Sequence, residues 1–319
     1  MTHERNGCMP ALLAHYVFAQ RVMQQMEHAG IPVHNKNAAL IGAQGPDVLF
    51  FHRVLPWQSG TSYAKLGSCM HHISPVRLFD ELQRTIAADS RDREFMLGYM
   101  LGFICHYALD RTTHPYVYWA QDALEHDDPG YGKGRTRKHQ YHFRIESALD
   151  TIILRRETGQ HVTNFDLSTA APELSERELN AFARLYAPTL RRLFGVDAAH
   201  ANLIHAPSDM RRIFRLINDK SLNRRRLLTL IERAARQGPF ATSLLRPADI
   251  SDWDYANTDH KQWHNPADPP RTYTSGFFEL YDDATVEAFD MVTRFMSELP
   301  NGCMMSLTGN RNFHTGINT

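Results

Sequence analysis

The sequence predicts an all-α protein, and three observations carry this prediction. Apolar side chains recur at helical spacing in successive segments, helix-capping residues precede several of them, and no strand-like alternation is sustained anywhere. At 319 residues with 43% hydrophobic content, the chain is long enough to bury a substantial core. We therefore expect a multi-helix globular protein, either as one large domain or as two smaller ones.

The first half of the chain contains a series of capped helical segments. A helix over about 10–30 ends at Gly30, and Asn35 caps a short one that breaks at the turn from Gly42 to Asp47. Ser74 followed by Pro75 opens the next helix, because proline suits the first helical position. The helices predicted in this half cover about 10–30, 35–40, 75–88 and 91–110. A separate helix follows Pro115, and the last one covers about 139–156.

The helix predicted over 91–110 is apolar nearly all round, which is typical of a buried central helix. Gly98 and Gly102 would let a neighbouring element approach its backbone closely. Pro115 disfavours helical geometry at the preceding residue. We therefore predict that His114 lies just past the end of this helix.

Beyond Gly159 the composition changes, since histidines become rare and arginines frequent. A capping box from Ser175 to Glu178 predicts a helix that ends near Gly195. Further helices are predicted over 209–218, 221–237 and 275–298, with an irregular stretch over 239–274. We divide the chain into a helical region 1–158 and a C-terminal helical region 159–319, whose role and packing the sequence leaves open.

Charge and hydropathy exclude some classes of protein. Lys+Arg and Asp+Glu both number 35, so a general electrostatic affinity for nucleic acid or for an anionic membrane is not expected, although local basic patches stay open. No stretch resembles a signal peptide or the ~20 apolar residues of a transmembrane helix. The four cysteines show no disulfide or zinc-knuckle spacing. We expect a cytoplasmic protein, of an oligomeric state that the sequence does not indicate.

Histidines are concentrated near the start of the chain, with twelve of the eighteen in the first 142 residues. The pairs His106/Asp110 and His142/Glu146 have i,i+4 spacing, which places both side chains of a pair on one helix face, and His114 follows one turn later. Nitrogen and oxygen donors without cysteine favour a catalytic zinc site over a structural one. Any one pair alone is more typical of a surface hydrogen bond, so the prediction depends on the set.

The ordered set of motifs resembles a known family. The motifs are His15 in PALLAHYVF, Asp47 at the end of GAQGPD, His71 in GSCMHH, His106-x-x-x-Asp110 with His114, and His142-x-x-x-Glu146. Together they resemble the bacterial zinc-dependent phospholipase C family, which is similar in fold to the fungal single-strand-specific nucleases. The resemblance covers about residues 10–150 and implies a phospholipase C/nuclease-like helical domain, here followed by additional C-terminal helices.

The resemblance also implies a cluster of three zinc ions. One zinc would be held by Asp47, His71, His106 and Asp110. A second would be held by His114, His142 and Glu146. His15 would contribute to the third with Asp110 as a bridge, and Asp47 would also steer the attacking water as a base.

The sequence departs from the family at the third site. Secreted members complete that site with the amino group of a mature N-terminal tryptophan, which this chain lacks. The amino group left after loss of Met1, or the side chain of His3, would replace it. If translation begins at Met9, the third zinc is weak or absent. We expect two zinc ions and leave the third open.

These observations favour zinc-dependent hydrolysis of a phosphate ester by a metal-activated hydroxide, with a phospholipid head-group phosphodiester as the substrate that the resemblance implies. A nuclease or nucleotide phosphatase is one alternative, and a non-catalytic zinc-stabilised binding protein is another. The run Asn223–Arg226 could form an anion-binding face, although such a run is more typical of a solvated helix face. An HD-type phosphohydrolase built on His126-Asp127 would explain fewer residues. Aromatic side chains near the ligands would favour base stacking, although such spacing is equally typical of core residues; they are Tyr107, Tyr116, Tyr118, Trp119 and Tyr141.

Overall fold

The computed structural model describes residues 11–134, 137–234, 240–299 and 301–318. Within these ranges the regular structure is helical apart from one two-stranded sheet, which confirms the all-α prediction. The α-helices are α1 (Leu12–His28), α2 (Lys36–Gly42), α3 (Ala64–His72), α4 (Pro75–Ala88), α5 (Arg93–Asp127), α6 (Arg137–Thr158), α7 (Glu176–Phe194), α8 (His200–Leu203), α9 (His205–Ile217), α10 (Asn223–Ala234), α11 (Phe240–Ser243), α12 (Phe277–Glu298) and α13 (Met304–Thr308). Two 3₁₀ helices cover Gly45–Phe51 and Leu167–Ala170, and the strands are β1 (Trp263–Asn265) and β2 (Asp268–Tyr273).

Helix α5 is the central element, and it is longer than predicted. The predicted break at Pro115 is wrong, because the helix continues to Asp127 and His114 lies inside it. A proline inside a helix costs ~3 kcal/mol through a lost hydrogen bond and crowding of the carbonyl one turn earlier. The turn beyond it buries Tyr116 and Val117 almost completely, and each such side chain stabilises the fold by ~1.5–3 kcal/mol. Tertiary burial therefore outweighs the local preference against helix.

Helix α2 packs on α5 with backbone against backbone, as the glycines of α5 predict. A Cβ at Gly102 would overlap the carbonyl oxygen of Ala39, and a Cβ at Gly98 would lie only 2.6 Å from the carbonyl oxygen of Asn35. A Cβ at Gly42 on α2 would likewise overlap the backbone carbonyl group of Tyr99. This close approach positions the 3₁₀ helix that follows α2 directly beside the middle of α5.

We predict that Gly102→Ala lowers the free energy of unfolding by ~1–3 kcal/mol, because the added methyl group has to displace a backbone carbonyl. Alanine has a higher helix propensity than glycine, so propensity alone would predict a gain in the free energy of unfolding rather than this loss. Urea unfolding followed by circular dichroism measures the change. Gly130→Ala is the matched control, since nothing lies within 4 Å of a Cβ there; equal stability of the two variants would contradict the packing described.

Residues on the two sides of position 158 pack against each other. Asp150 on α6 accepts hydrogen bonds from the backbone N–H groups of Leu12, Leu13 and Ala14, and so caps α1 from a distant part of the chain. The same carboxylate forms a buried ion pair with Arg246, with Nη2 and Oδ2 2.6 Å apart. Helix α12, from the region beyond 158, packs along α5.

Several elements were not predicted, among them the short helices α8, α11 and α13. Helix α3 lies in a stretch for which the sequence analysis proposed no helix, and strands β1 and β2 lie within 239–274, predicted to be irregular. Strand β1 is only three residues long, and β2 carries two prolines and is largely exposed, so neither produces a sustained alternation in the sequence. The hairpin is positioned by Trp263, which is buried and stacks on Tyr273 at 4.7 Å between ring centres. Among the described residues, no helix has the length and apolar character needed to cross a membrane.

Candidate metal centre

The fold brings all eight predicted ligand residues together in its interior. His15 comes from α1, Asp47 from the 3₁₀ helix Gly45–Phe51, and His71 from the last turn of α3. The others are on two long neighbouring helices: α5 supplies His106, Asp110 and His114, and α6 supplies His142 and Glu146. Every one of the eight is at most 8% exposed.

Asp110 lies at the centre of the group, with four imidazole rings around its carboxylate. His106 Nε2 is 3.1 Å from Oδ2, and His15 Nε2 is 3.3 Å from Oδ1. His114 Nδ1 and His71 Nε2 lie 3.7 and 3.8 Å from the same carboxylate. Asp110 therefore joins the residues that the sequence assigned to different zinc ions.

Asp47 faces the same group from the opposite side. Its Oδ1 is 3.2 Å from His71 Nε2, and its Oδ2 is 4.0 Å from His106 Nδ1. The Nε2 atoms of these two histidines are 3.3 Å apart. Two nitrogen donors and two carboxylates thus converge, and His71, His106 and Asp110 form one set of donor atoms lying within 4.8 Å of one another.

A second set of donors lies beside the first. His142 Nε2 is 3.2 Å from Glu146 Oε1, and His114 Nε2 is 3.7 Å from the same oxygen. These three residues have donor atoms within 4.8 Å of one another. They are the residues assigned to the second zinc by the family resemblance.

Backbone carbonyls orient three of the imidazole rings. His71 Nδ1 lies 2.9 Å from Gly67 O, His106 Nδ1 lies 3.2 Å from Ala43 O, and His114 Nδ1 lies 3.2 Å from Phe313 O. A carbonyl can only accept, so a proton on each Nδ1 satisfies it and leaves the Nε2 of these rings available to coordinate a metal.

Gly45 makes room for one of these rings. A Cβ at this position would lie 2.5 Å from His106 Cγ, and the backbone has a positive φ of +52°, a conformation that glycine adopts without strain. The second glycine of the GAQGPD motif is therefore needed because the His106 ring occupies the place of a Cβ.

The electrostatics of the group reflect charges packed without water. Burial, together with the neighbouring His106, lowers the pKa of His15 to about 4. Burial alone would raise the pKa of Glu146, but His142 and His114 outweigh it and lower that pKa to about 2. Burial likewise opposes ionisation of Asp110, yet His106, His114 and His15 hold its pKa well below the usual value. Near neutral pH both carboxylates are ionised and His15 is neutral, as metal ligands must be.

The donor atoms also fit a metal because several of them have no other partner. Among the described residues, His15 Nδ1, His142 Nδ1 and Glu146 Oε2 are buried and have no hydrogen-bond partner. Buried polar atoms without partners are costly, and zinc prefers imidazole nitrogen and carboxylate oxygen in this combination. The residues present therefore fit zinc, without fixing the number of ions.

A third set of donors adjoins the first two. His15 shares a set with Asp47 and His106, in addition to facing Asp110. The N-terminal groups that the sequence analysis offered as completing ligands, Met1, His3 or the start at Met9, lie outside the described residues.

The C-terminal segment contributes to this centre, which sequence reasoning missed. Phe313 is fully buried and its ring lies 5.2 Å from that of His71, while His314 lies 5.6 Å from both His71 and His114. Tyr118 Oη is 3.1 Å from His314 Nδ1. Burial and the nearby histidines hold the pKa of His314 well below its usual range. No local pattern could have linked residues some 200 positions apart.

The all-α fold thus buries three adjoining sets of imidazole and carboxylate donors that could hold metal ions. A sequence model described as zinc-dependent phospholipase C matches residues 14–192, which is more than half of the 319 residues. The chain belongs to the zinc-dependent phospholipase C family, a family of hydrolases, as its motifs predicted. Neither the curated proteins nor the solved structures gave a significant match.

Proposed function

We propose that this protein hydrolyses a phosphodiester in a phospholipid head group with zinc as its cofactor. The observation that carries the proposal is the continuous buried group of eight nitrogen and oxygen donors centred on Asp110, with unpartnered donor atoms on His15, His142 and Glu146. Family membership supports zinc as the metal and a phosphodiester as the bond that is cleaved.

In this proposal the ligands divide as the family resemblance implies. Asp47, His71, His106 and Asp110 hold one zinc, and His114, His142 and Glu146 hold another. His15 faces Asp110 and would take part in a third site. Bound zinc ions would lower the pKa of water toward neutrality and stabilise charge on the phosphate oxygens.

The protein's own residues would position the reacting groups. Both carboxylate oxygens of Asp47 face histidines of the first set, so Asp47 can be a ligand and can also accept a proton from the attacking water. Phe313 covers the histidines of the first set and excludes water from this side. Exclusion of water strengthens every electrostatic interaction inside the site.

The structure gives little support for base stacking, which the nuclease alternative would need. Tyr107, Tyr116 and Tyr141 are fully buried in the core, so their rings cannot stack on nucleotide bases. Tyr118 and Trp119 are partly exposed, and of these two Tyr118 contacts the ring of His142. His126 and Asp127 are exposed on the surface, and the Trp253 indole N–H donates to Asp127. An HD-type site would need these two residues to lie among further ligands.

In this proposal the regions 1–158 and 159–319 have different roles at the site. Residues 1–158 supply the eight ligands, while residues 159–319 supply the cover of the site through Phe313 and His314. We propose that both regions are needed for activity.

Activity on three substrates tests the proposed function. Purified protein would be assayed on phosphatidylcholine, on single-stranded DNA and on a generic phosphodiester, each with and without a chelator. We expect activity on phosphatidylcholine that a chelator abolishes and added zinc restores. His142→Ala should lower both zinc content and activity, whereas His126→Ala, at a side chain that is 90% exposed, should change neither.

The other outcomes are equally informative. Chelator-sensitive activity confined to single-stranded DNA would replace the phospholipid by a nucleic acid substrate. Fewer than two metal ions per chain, together with no chelator-sensitive activity on any substrate, would contradict the catalytic proposal.

A further inference from the structure

Helix α10 exposes an apolar face. Leu227, Leu230 and Ile231 are 58%, 64% and 52% exposed, and Ala234 is exposed as well. Their i, i+3, i+4, i+7 spacing places all four on one side of the helix. We call these four residues the α10 apolar face. Contiguous exposed apolar residues of this kind mark a surface that contacts a partner or a lipid.

Arginines border this face on both sides. Arg224 and Arg226 are exposed, and their positions on the helix lie on opposite edges of the α10 apolar face. Lys220 is exposed just before the helix begins. Between Lys220 and Ala234 the sole acidic residue is Glu232, which is buried on the opposite side. The surface is therefore apolar in its middle and positively charged along its edges.

A short series of hydrogen bonds connects the opposite face of α10 to a residue adjacent to the metal centre. Thr242 on α11 donates to the Glu232 carboxylate from both its hydroxyl and its backbone N–H. The next residue, Ser243, accepts a hydrogen bond from Ser147, which is adjacent to the ligand Glu146. A cavity of about 270 Å³ lies between these elements, with Ser147, Ser243 and Arg225 in its lining. A smaller pocket beside it shares both serines and reaches Glu146.

We propose that α10 docks on an anionic lipid surface and so places the metal centre beside its substrate. The leucine and isoleucine side chains would enter the boundary between head groups and acyl chains, and the arginines would contact lipid phosphates. A second copy of the chain fits this face less well, because pairing two such helices would set arginines against arginines. Docking would bring the metal centre to a phospholipid substrate, and in this respect the proposal rests on the proposed function.

Vesicle binding tests the docking without any turnover, so its failure and the failure of the proposed function are distinguishable. Co-sedimentation would use vesicles of phosphatidylcholine with phosphatidylserine as the minor component, and vesicles of phosphatidylcholine alone. We expect stronger binding to the anionic vesicles and a loss of binding as salt increases. The triple variant Leu227→Gln, Leu230→Gln, Ile231→Gln should bind at least ~10-fold more weakly.

Two further variants make the test specific. Arg224→Gln with Arg226→Gln should remove the preference for phosphatidylserine while circular dichroism stays unchanged. Val286→Gln is the matched control, because Val286 is 71% exposed on α12 near the exposed carboxylates of Asp283 and Asp290; it should bind like the unmodified protein.

Two results would overturn the proposal. One is equal vesicle binding by the triple variant and the unmodified protein. The other is no vesicle binding together with a dimer in analytical ultracentrifugation that the triple variant abolishes, which would assign the α10 apolar face to self-association.

Discussion

Asp110→Asn is expected to lower the phosphodiesterase activity at least ~100-fold, because zinc ions contribute several kcal/mol to transition-state stabilisation and this carboxylate lies at the centre of their ligands. Four imidazole rings lie within 3.8 Å of it. An amide has nearly the same shape, but it lacks the negative charge and presents a donor where an acceptor is needed. Zinc content per chain should fall together with activity.

Asp122→Asn on the same helix provides the control for that prediction. Asp122 is half exposed, and its ion pair with Lys138 is long at 3.5 Å, so it contributes at most ~1 kcal/mol to stability. Its zinc content and activity should match those of the unmodified protein. An Asp110→Asn variant that keeps both full activity and full zinc content would remove Asp110 from the proposed centre.

Asp150→Ala is expected to lower the free energy of unfolding by ~3–5 kcal/mol, since it leaves the buried Arg246 guanidinium without a counter-charge. It also removes the acceptor of three backbone N–H groups at the start of α1. Burial raises the pKa of Asp150 and outweighs the opposing effect of Arg246. Thermal or urea unfolding of metal-free protein measures the effect separately from zinc binding.

Asp252→Ala is the matched control for the ion pair. Asp252 also pairs with an arginine of α6, Arg144, at 2.8 Å, but its side chain is largely exposed. We expect a loss of ~1 kcal/mol or less. If the two variants lost equal stability, the buried pair could not be what joins α1, α6 and the C-terminal region.

Local sequence signals predicted much of the fold because they arise from the backbone itself. Asn35, Ser74 and Ser175 cap α2, α4 and α7 with their side chains, as predicted from sequence. The long α5 was not predicted, since the burial that carries a helix across Pro115 comes from elements distant in the sequence. Helix α1 likewise depends on Asp150, which lies 136 to 138 residues beyond the N–H groups that it caps.

The candidate site was predictable only in part, for a related reason. The i,i+4 pairs on α5 and α6 are visible in the sequence because helix geometry fixes the relation between their members. The grouping of His15 with Asp47 and His106 depends on how α1 and α2 pack on α5, and no local pattern encodes that packing. Phe313 and His314 were missed because their contacts with His71 and His114 bring the end of the chain back to its first half. The cytoplasmic location stays a prediction.

Anomalous diffraction at the zinc absorption edge, from crystals of the zinc-loaded protein, tests the central claim most directly. We predict zinc peaks at ligand distances of ~2.0–2.2 Å from His71, His106 and Asp110, and from His114, His142 and Glu146. Zinc bound elsewhere on the protein, with these six side chains free of metal, would contradict the account.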